Sequence, residues 1–190
     1  MTSEPWRGDV EVGVAAWTGG ADGAPPDPAT DDPEPDHEAV ARKILLDQLT
    51  GQARSRRELA DKLRSRNVPT DLAERLLDRF EEVGLVDDEA FARSWIGSRQ
   101  PGKGLGRRAL AHELRRKGVP DEVAREALGE IEPEDEEAAA RALVHKKMRS
   151  LTRVDRATAA RRLLGLLARK GHDAALAHRV VREALGELDD

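Results

Sequence analysis

The residues best placed to do chemistry form one short run: Gly97-Ser98-Arg99-Gln100-Pro101-Gly102-Lys103-Gly104-Leu105-Gly106. It satisfies the first seven positions of the phosphate-cradling pattern G-x-x-x-x-G-K. At the eighth, Gly104 stands where a Ser or Thr hydroxyl would hold magnesium, and the run follows an amphipathic helical pattern rather than a strand. Nucleotide hydrolysis is therefore not expected. The run reads instead as a flexible basic linker between two helices, with Gly106 near the start of the second. It is able to offer main-chain N–H groups and Lys103 to a phosphate or a carboxylate. No two of the histidines (His37, His112, His145, His172, His178) are spaced i, i+4, the spacing that puts two ligands on one helical face, so no metal site is expected. There is no Gly-x-Ser-x-Gly elbow for a nucleophile. With no cysteine, thiolate catalysis, disulfides and Cys-based zinc sites are excluded, which fits a reducing cytoplasm. The acidic run Pro133-Glu134-Asp135-Glu136-Glu137 reads as the charged first turn of a helix rather than a ligand set. Neither catalytic residues nor a cofactor are expected.

Behind these residues the chain repeats itself. Leu59-x-x-x-Leu63 before Val68-Pro69 recurs 51 residues later as Leu110-x-x-x-Leu114 before Val119-Pro120, and Leu163-x-x-x-Leu167 before Lys170-Gly171 follows at an offset of 53. After each junction comes another helical set: Leu72/Leu76/Leu77, Val123/Ala127/Leu128 and Leu176/Val180/Val181. Before each lies a third: Val40/Ile44/Leu45, Phe91/Trp95/Ile96 and Val144/Met148/Leu151. Spacings of three and four put such side chains on one helix face. With aromatics at 3% and abundant Ala, Leu, Arg and Glu, a sheet fold is disfavoured. The expected fold is all-α: three tandem three-helix repeats (38–86, 87–131 and 132–190) in an elongated, curved array. Gly118 and Gly171 suit the left-handed position that ends a helix.

Residues 1–37 differ in character. They carry nine acids against Arg7, a charge of −8, leaving +3 for the remainder of a chain whose net charge is −5. Rich in Pro and Gly, with Trp6 and Trp17 as its only anchors, this stretch reads as a disordered acidic tail. No basic-then-apolar leader and no apolar run of membrane-spanning length is present, so a cytoplasmic monomer is expected. Basic residues concentrate in Phe91–Gly118, eight Lys/Arg against Glu113 alone, and again in His145–Gly171. With Leu110 and Leu114 facing the core, Arg108 and Arg115 fall on the opposite side, flanked by His112 and Arg116. Arg57 and Arg64 repeat the arrangement, and Arg161 and Arg169 continue it. Such a ridge suits phosphates or rows of acidic side chains.

The segment Asp87-Asp88-Glu89-Ala90-Phe91-Ala92-Arg93-Ser94-Trp95, followed by Gly104-Leu105-Gly106-Arg107-Arg108-Ala109-Leu110-Ala111-His112-Glu113-Leu114-Arg115-Arg116-Lys117-Gly118-Val119, resembles the middle repeat of the RecX family of bacterial RecA regulators. The resemblance extends over about residues 38–188 and includes the bridge from Glu82 to Asp88. It implies a non-catalytic protein without cofactor that binds the RecA filament on single-stranded DNA. It further implies lowered strand exchange, ATP hydrolysis and co-protease activity, within DNA repair and SOS control. By position the contact residues would be Lys103, Arg107, Arg108, Arg115 and Arg116, with Arg93 and Arg99, extended by Arg57 and Arg64. The alternative is a helical protein acting directly on DNA. The acidic tail lies outside the resemblance, and the charge pattern suggests internal competition for the basic ridge.

Overall fold

A computed structural model describes residues 37–186, and all of its regular structure there is helical. The helices are α1 His37–Gly51, α2 Arg56–Arg64, α3 Thr70–Glu82, α4 Asp88–Lys103, α5 Arg107–Arg116, α6 Asp121–Gly129, α7 Pro133–Met148, α8 Arg156–Arg169 and α9 Ala174–Gly186. The acidic tail assigned to residues 1–37, with its anchors Trp6 and Trp17, lies outside the described residues except for His37, which opens α1.

Each repeat closes its own core. Leu45, Leu59, Leu63, Leu77 and Phe80 pack together in the first, Phe91, Ile96, Leu110, Leu114 and Val119 in the second, and Val144, Leu163, Leu167, Val180 and Val181 in the third. The middle-helix leucines Leu59, Leu63, Leu110, Leu114, Leu163 and Leu167 are fully buried, as their i, i+4 spacing requires. Helix starts follow local chemistry. The side chains of Ser55, Asp87 and Asp155 accept the N–H groups of Glu58, Ala90 and Thr158. Pro133 opens α7 ahead of Glu134, Asp135 and Glu136, so the acidic run is a helix start.

One expectation is corrected. The run after Gly97 is not a linker, because α4 continues to Lys103 with Pro101 in its last turn. The stop comes at Gly104, left-handed at φ 60°, whose N–H donates to the Gln100 carbonyl at 2.8 Å. Tertiary packing decides this position: Leu105 is buried, and a Cβ on Gly104 would stand 2.7 Å from the Leu143 side chain of α7. Gly106 immediately precedes α5, as the sequence indicates.

The middle helices dock end to end, the C-terminus of each later one against the N-terminus of the one before. Gly106 N–H donates to the Lys170 carbonyl (2.9 Å) and Arg108 N–H to the Gly171 carbonyl (3.2 Å), so the end of α8 caps the start of α5. The end of α5 caps the start of α2 in the same way, the Ser55 hydroxyl donating to the Lys117 carbonyl. A carboxylate from the first helix of the following repeat completes each socket: Arg56 N–H donates to Asp88 (2.9 Å), and Arg107 N–H donates to Glu136 (3.2 Å). Free N–H groups at one helix end thus meet free carbonyls and acids, and the dipoles run head to tail.

Candidate partner-binding face

The end-to-end docking places the arginine-bearing helices α2, α5 and α8 in series. Arg57 and Arg64 on α2, and Arg108, Arg115 and Arg116 on α5, are all exposed. Their partners are sparse and exposed: Asp61 for both Arg57 (3.6 Å) and Arg64 (2.6 Å), Asp173 for Arg108 (3.5 Å) and Asp121 for Arg115 (3.3 Å). Exposed pairs of this kind hold a side chain weakly and yield readily to a better acceptor. Arg116 makes no ion pair among the described residues. It borders a shallow depression shared with Gln48, Arg54, Glu58 and Lys62 of the first repeat. Arg161 and Arg169 on α8 are exposed as well.

Four of the other cations singled out by sequence have different surroundings. Arg107 lies at the seam between the second and third repeats. It donates to the Ile131 carbonyl at 2.6 Å and pairs with the buried Glu136 at 2.8 Å. Arg99 lies over the Trp95 ring, 4.1 Å from its centroid, and 3.5 Å from Glu113. Trp95 itself donates its indole N–H to Glu113 at 2.9 Å and stacks on Phe91. Arg93 is bound to Glu130 (3.0 Å) and Glu89 (3.4 Å), and its hydrogen bond to Glu130 raises its already high pKa further. Lys103 is exposed at the end of α4, beside Lys146 and Lys170 of the third repeat.

Sequence reasoning passes over the residues that build the seams. Lys117 binds Glu58 across the first junction at 2.6 Å while sitting 4.7 Å from the Trp95 centroid. Lys170 donates to the Lys103 carbonyl across the second at 2.9 Å. There the buried His172 meets the Gly104 carbonyl through Nε2 at 3.1 Å, with Nδ1 4.0 Å from Glu136. Burial lowers the pKa of this imidazole from its ordinary value. The recurring pairs Lys117-Gly118 and Lys170-Gly171 are the available signal. Among the described residues no group of three or more His, Asp or Glu side chains is arranged to hold a metal ion, and no helix is long and apolar enough to cross a membrane.

Comparison with known proteins agrees with this architecture. The solved RecX structure from Lactobacillus salivarius superposes with a TM-score of 0.73 over 78% of this chain and 96% of its own, at 21% identity, a likeness of fold. A second solved regulatory protein RecX gives 0.70 at 22% identity over 89% of this chain and 84% of its own. The family models for the first and second three-helix domains of RecX match residues 41–80 and 87–128. The regulatory protein RecX of Thermobifida fusca is 47% identical over 87% of this chain and 88% of that protein. That of Streptomyces lividans is 51% identical over 81% of this chain and 83% of its own length. With two domain models in register with the first two helical repeats and identity at this level along most of both chains, the protein belongs to the RecX family.

Proposed function

We propose that this chain is a non-catalytic cytoplasmic regulator that binds the RecA filament on single-stranded DNA and lowers its ATPase, strand-exchange and co-protease activities. The observation that supports it is the serial docking of α2, which carries the exposed Arg57 and Arg64, and α5, which carries the exposed Arg108, Arg115 and Arg116. These five form the contact surface, with Arg93 exposed beside Glu130 and Glu89 as a further cation. Arg99 and Arg107 support it from within, committed to Trp95 and Glu113 and to Glu136. Guanidinium groups with weak exposed partners exchange them at little cost for carboxylates or phosphates on a large, repetitive surface.

The test is single-stranded-DNA-dependent ATP hydrolysis by the cognate RecA, titrated with this protein, alongside binding to naked DNA in the same buffer. Inhibition at concentrations too low to cover the DNA is expected. Replacing Arg108, Arg115 and Arg116 together with Ala leaves helicity intact and weakens inhibition strongly, each desolvated pair lost costing on the order of 2 kcal/mol. Absence of inhibition, with tight binding to bare DNA, would overturn this reading in favour of a direct DNA-binding protein. Normal inhibition by the triple variant would remove the surface assignment alone.

A further inference from the structure

The G-x-x-x-x-G-K run, once folded as the last turns of α4, forms one wall of a groove that the ridge of middle helices does not use. The groove, about 800 Å³, lies between α4 and α7, at the meeting of the second and third repeats. Its α7 wall includes Ala138, Ala139 and Ala142 beside Leu143, and its α4 wall includes Gly97 and Gly102 beside Gln100 and Pro101. Lys103, Lys146 and Lys170 border it against one acid, Asp135. Two polar groups at the α4 wall depart from ordinary pairing. The Gln100 Nε2 is buried without a hydrogen-bond partner. One turn earlier, the Gly97 carbonyl has lost its ordinary helical donor, because Pro101 carries no N–H.

We infer that this groove binds an extended acidic peptide segment of a partner protein. Charge selects the side chains: three lysines against one aspartate favour Asp or Glu. The Gly97 carbonyl selects the backbone. Without a Pro101 N–H it suits a ligand that brings a donor, and a peptide carries N–H groups where a phosphodiester offers acceptors only. The small Ala and Gly residues on both walls leave room for an extended strand between the two helices. This site goes beyond the recombinase reading and is measured without a recombinase, so either can fail while the other stands.

The test uses the full chain and a fluorescein-labelled decapeptide of alternating Asp and Val, followed by fluorescence anisotropy. Its Asn-Val counterpart and an oligothymidylate of matched charge serve as controls. The acidic peptide is expected to bind and the neutral one not. The double variant Lys103→Gln/Lys146→Gln should weaken binding about tenfold, as expected for the loss of charge-assisted contacts. Ala142→Trp, an exposed helical position, should fill the groove and do the same with helicity unchanged by circular dichroism. Lys147→Gln, the same loss of charge at the neighbouring residue outside the groove, should have no effect. Three results would overturn the inference: equal response to Lys147→Gln, undiminished binding by Ala142→Trp, or tighter binding of oligothymidylate with the same sensitivity to the groove variants.

Discussion

Gly171→Ala tests whether end-to-end docking of the middle helices holds the repeats together. Gly171 has φ 82°, and an added Cβ would stand 2.3 Å from the Ala109 nitrogen and 2.6 Å from its Cβ. Neither contact can be relieved by swinging a flexible side chain, so the turn must back away from α5. Retreat stretches the bonds from Gly106 N–H to Lys170 and from Arg108 N–H to Gly171. Each contributes about 1 kcal/mol when made and costs about 1–3 kcal/mol if a buried group is left unpaired. The left-handed backbone adds about 1–2 kcal/mol for any L residue with a Cβ. Gly84→Ala isolates that last contribution, because Gly84 has φ 72° and a Cβ added there would meet nothing within 4 Å. The expected destabilisation is about 1 kcal/mol for Gly84→Ala and at least about 2 kcal/mol more for Gly171→Ala. Urea unfolding measures both, and hydrogen exchange at the Gly106 and Arg108 amides should accelerate only in Gly171→Ala. Equal destabilisation by the two variants, with both amides still protected, would refute the docking argument.

Three further outcomes follow from the same geometry. Leu114→Ala, at a fully buried position in the second core, should cost about 2–5 kcal/mol in urea unfolding. Arg107→Ala should destabilise by about 1 kcal/mol, since it strands the Ile131 carbonyl and the buried Glu136 although Arg107 itself is 40% exposed; Arg116→Ala should stay within about 0.5 kcal/mol. Burial lowers the pKa of His172, so the unfolded chain takes up the proton near pH 6.5 while the folded ring resists it. The associated stability is therefore full above about pH 6.5 and is lost as pH falls through the lower folded value. Thermal melts across that range should show the decline, and His172→Gln, which retains a side-chain donor for the Gly104 carbonyl, should flatten it.

The helical repeats are legible in the sequence because burial of one helix face imposes a 3.6-residue period. Leu110 and Leu114, set 51 residues after Leu59 and Leu63, carry that period into a repeat offset. The end of α4 is not legible, because Gly97, Pro101 and Gly102 count locally as breakers. What carries the helix to Lys103 is tertiary: burial of Leu105 and the close passage of Leu143 over Gly104. The candidate surface is only partly legible for a related reason. A charge count treats Arg107 and Arg108 alike, yet one is fixed between Ile131 and Glu136 and the other reaches a single exposed aspartate. Such partners lie 24 to 65 residues away along the chain, beyond any local pattern. The junctions are hidden further because Ser55 and Gly106 do the same work with different atoms, a hydroxyl in one and an amide in the other.

The same device takes a different form at each end of the described stack. At the turn of the first repeat, the position equivalent to Gly118 and Gly171 is Asn67, which keeps the left-handed backbone at φ 57° but carries a Cβ. At the two docked turns a Cβ would collide, with the Arg57 side chain at Gly118 and with Ala109 at Gly171. Asn67 therefore preserves the shape of the turn and forbids its insertion into another helix start. At the opposite end, α8 has 14 residues against 10 in α5, while their C-termini keep the offset of 53. The N-terminus of α8 is therefore set about one turn earlier than that of α5, and the Asp155 side chain accepts the Thr158 N–H there. One end has lost the plug and the other the socket. A repeat protein must close its terminal faces to remain discrete. Here the two ends of the described stack differ from its docked junctions by one side chain, Asn67, and about one helical turn of α8.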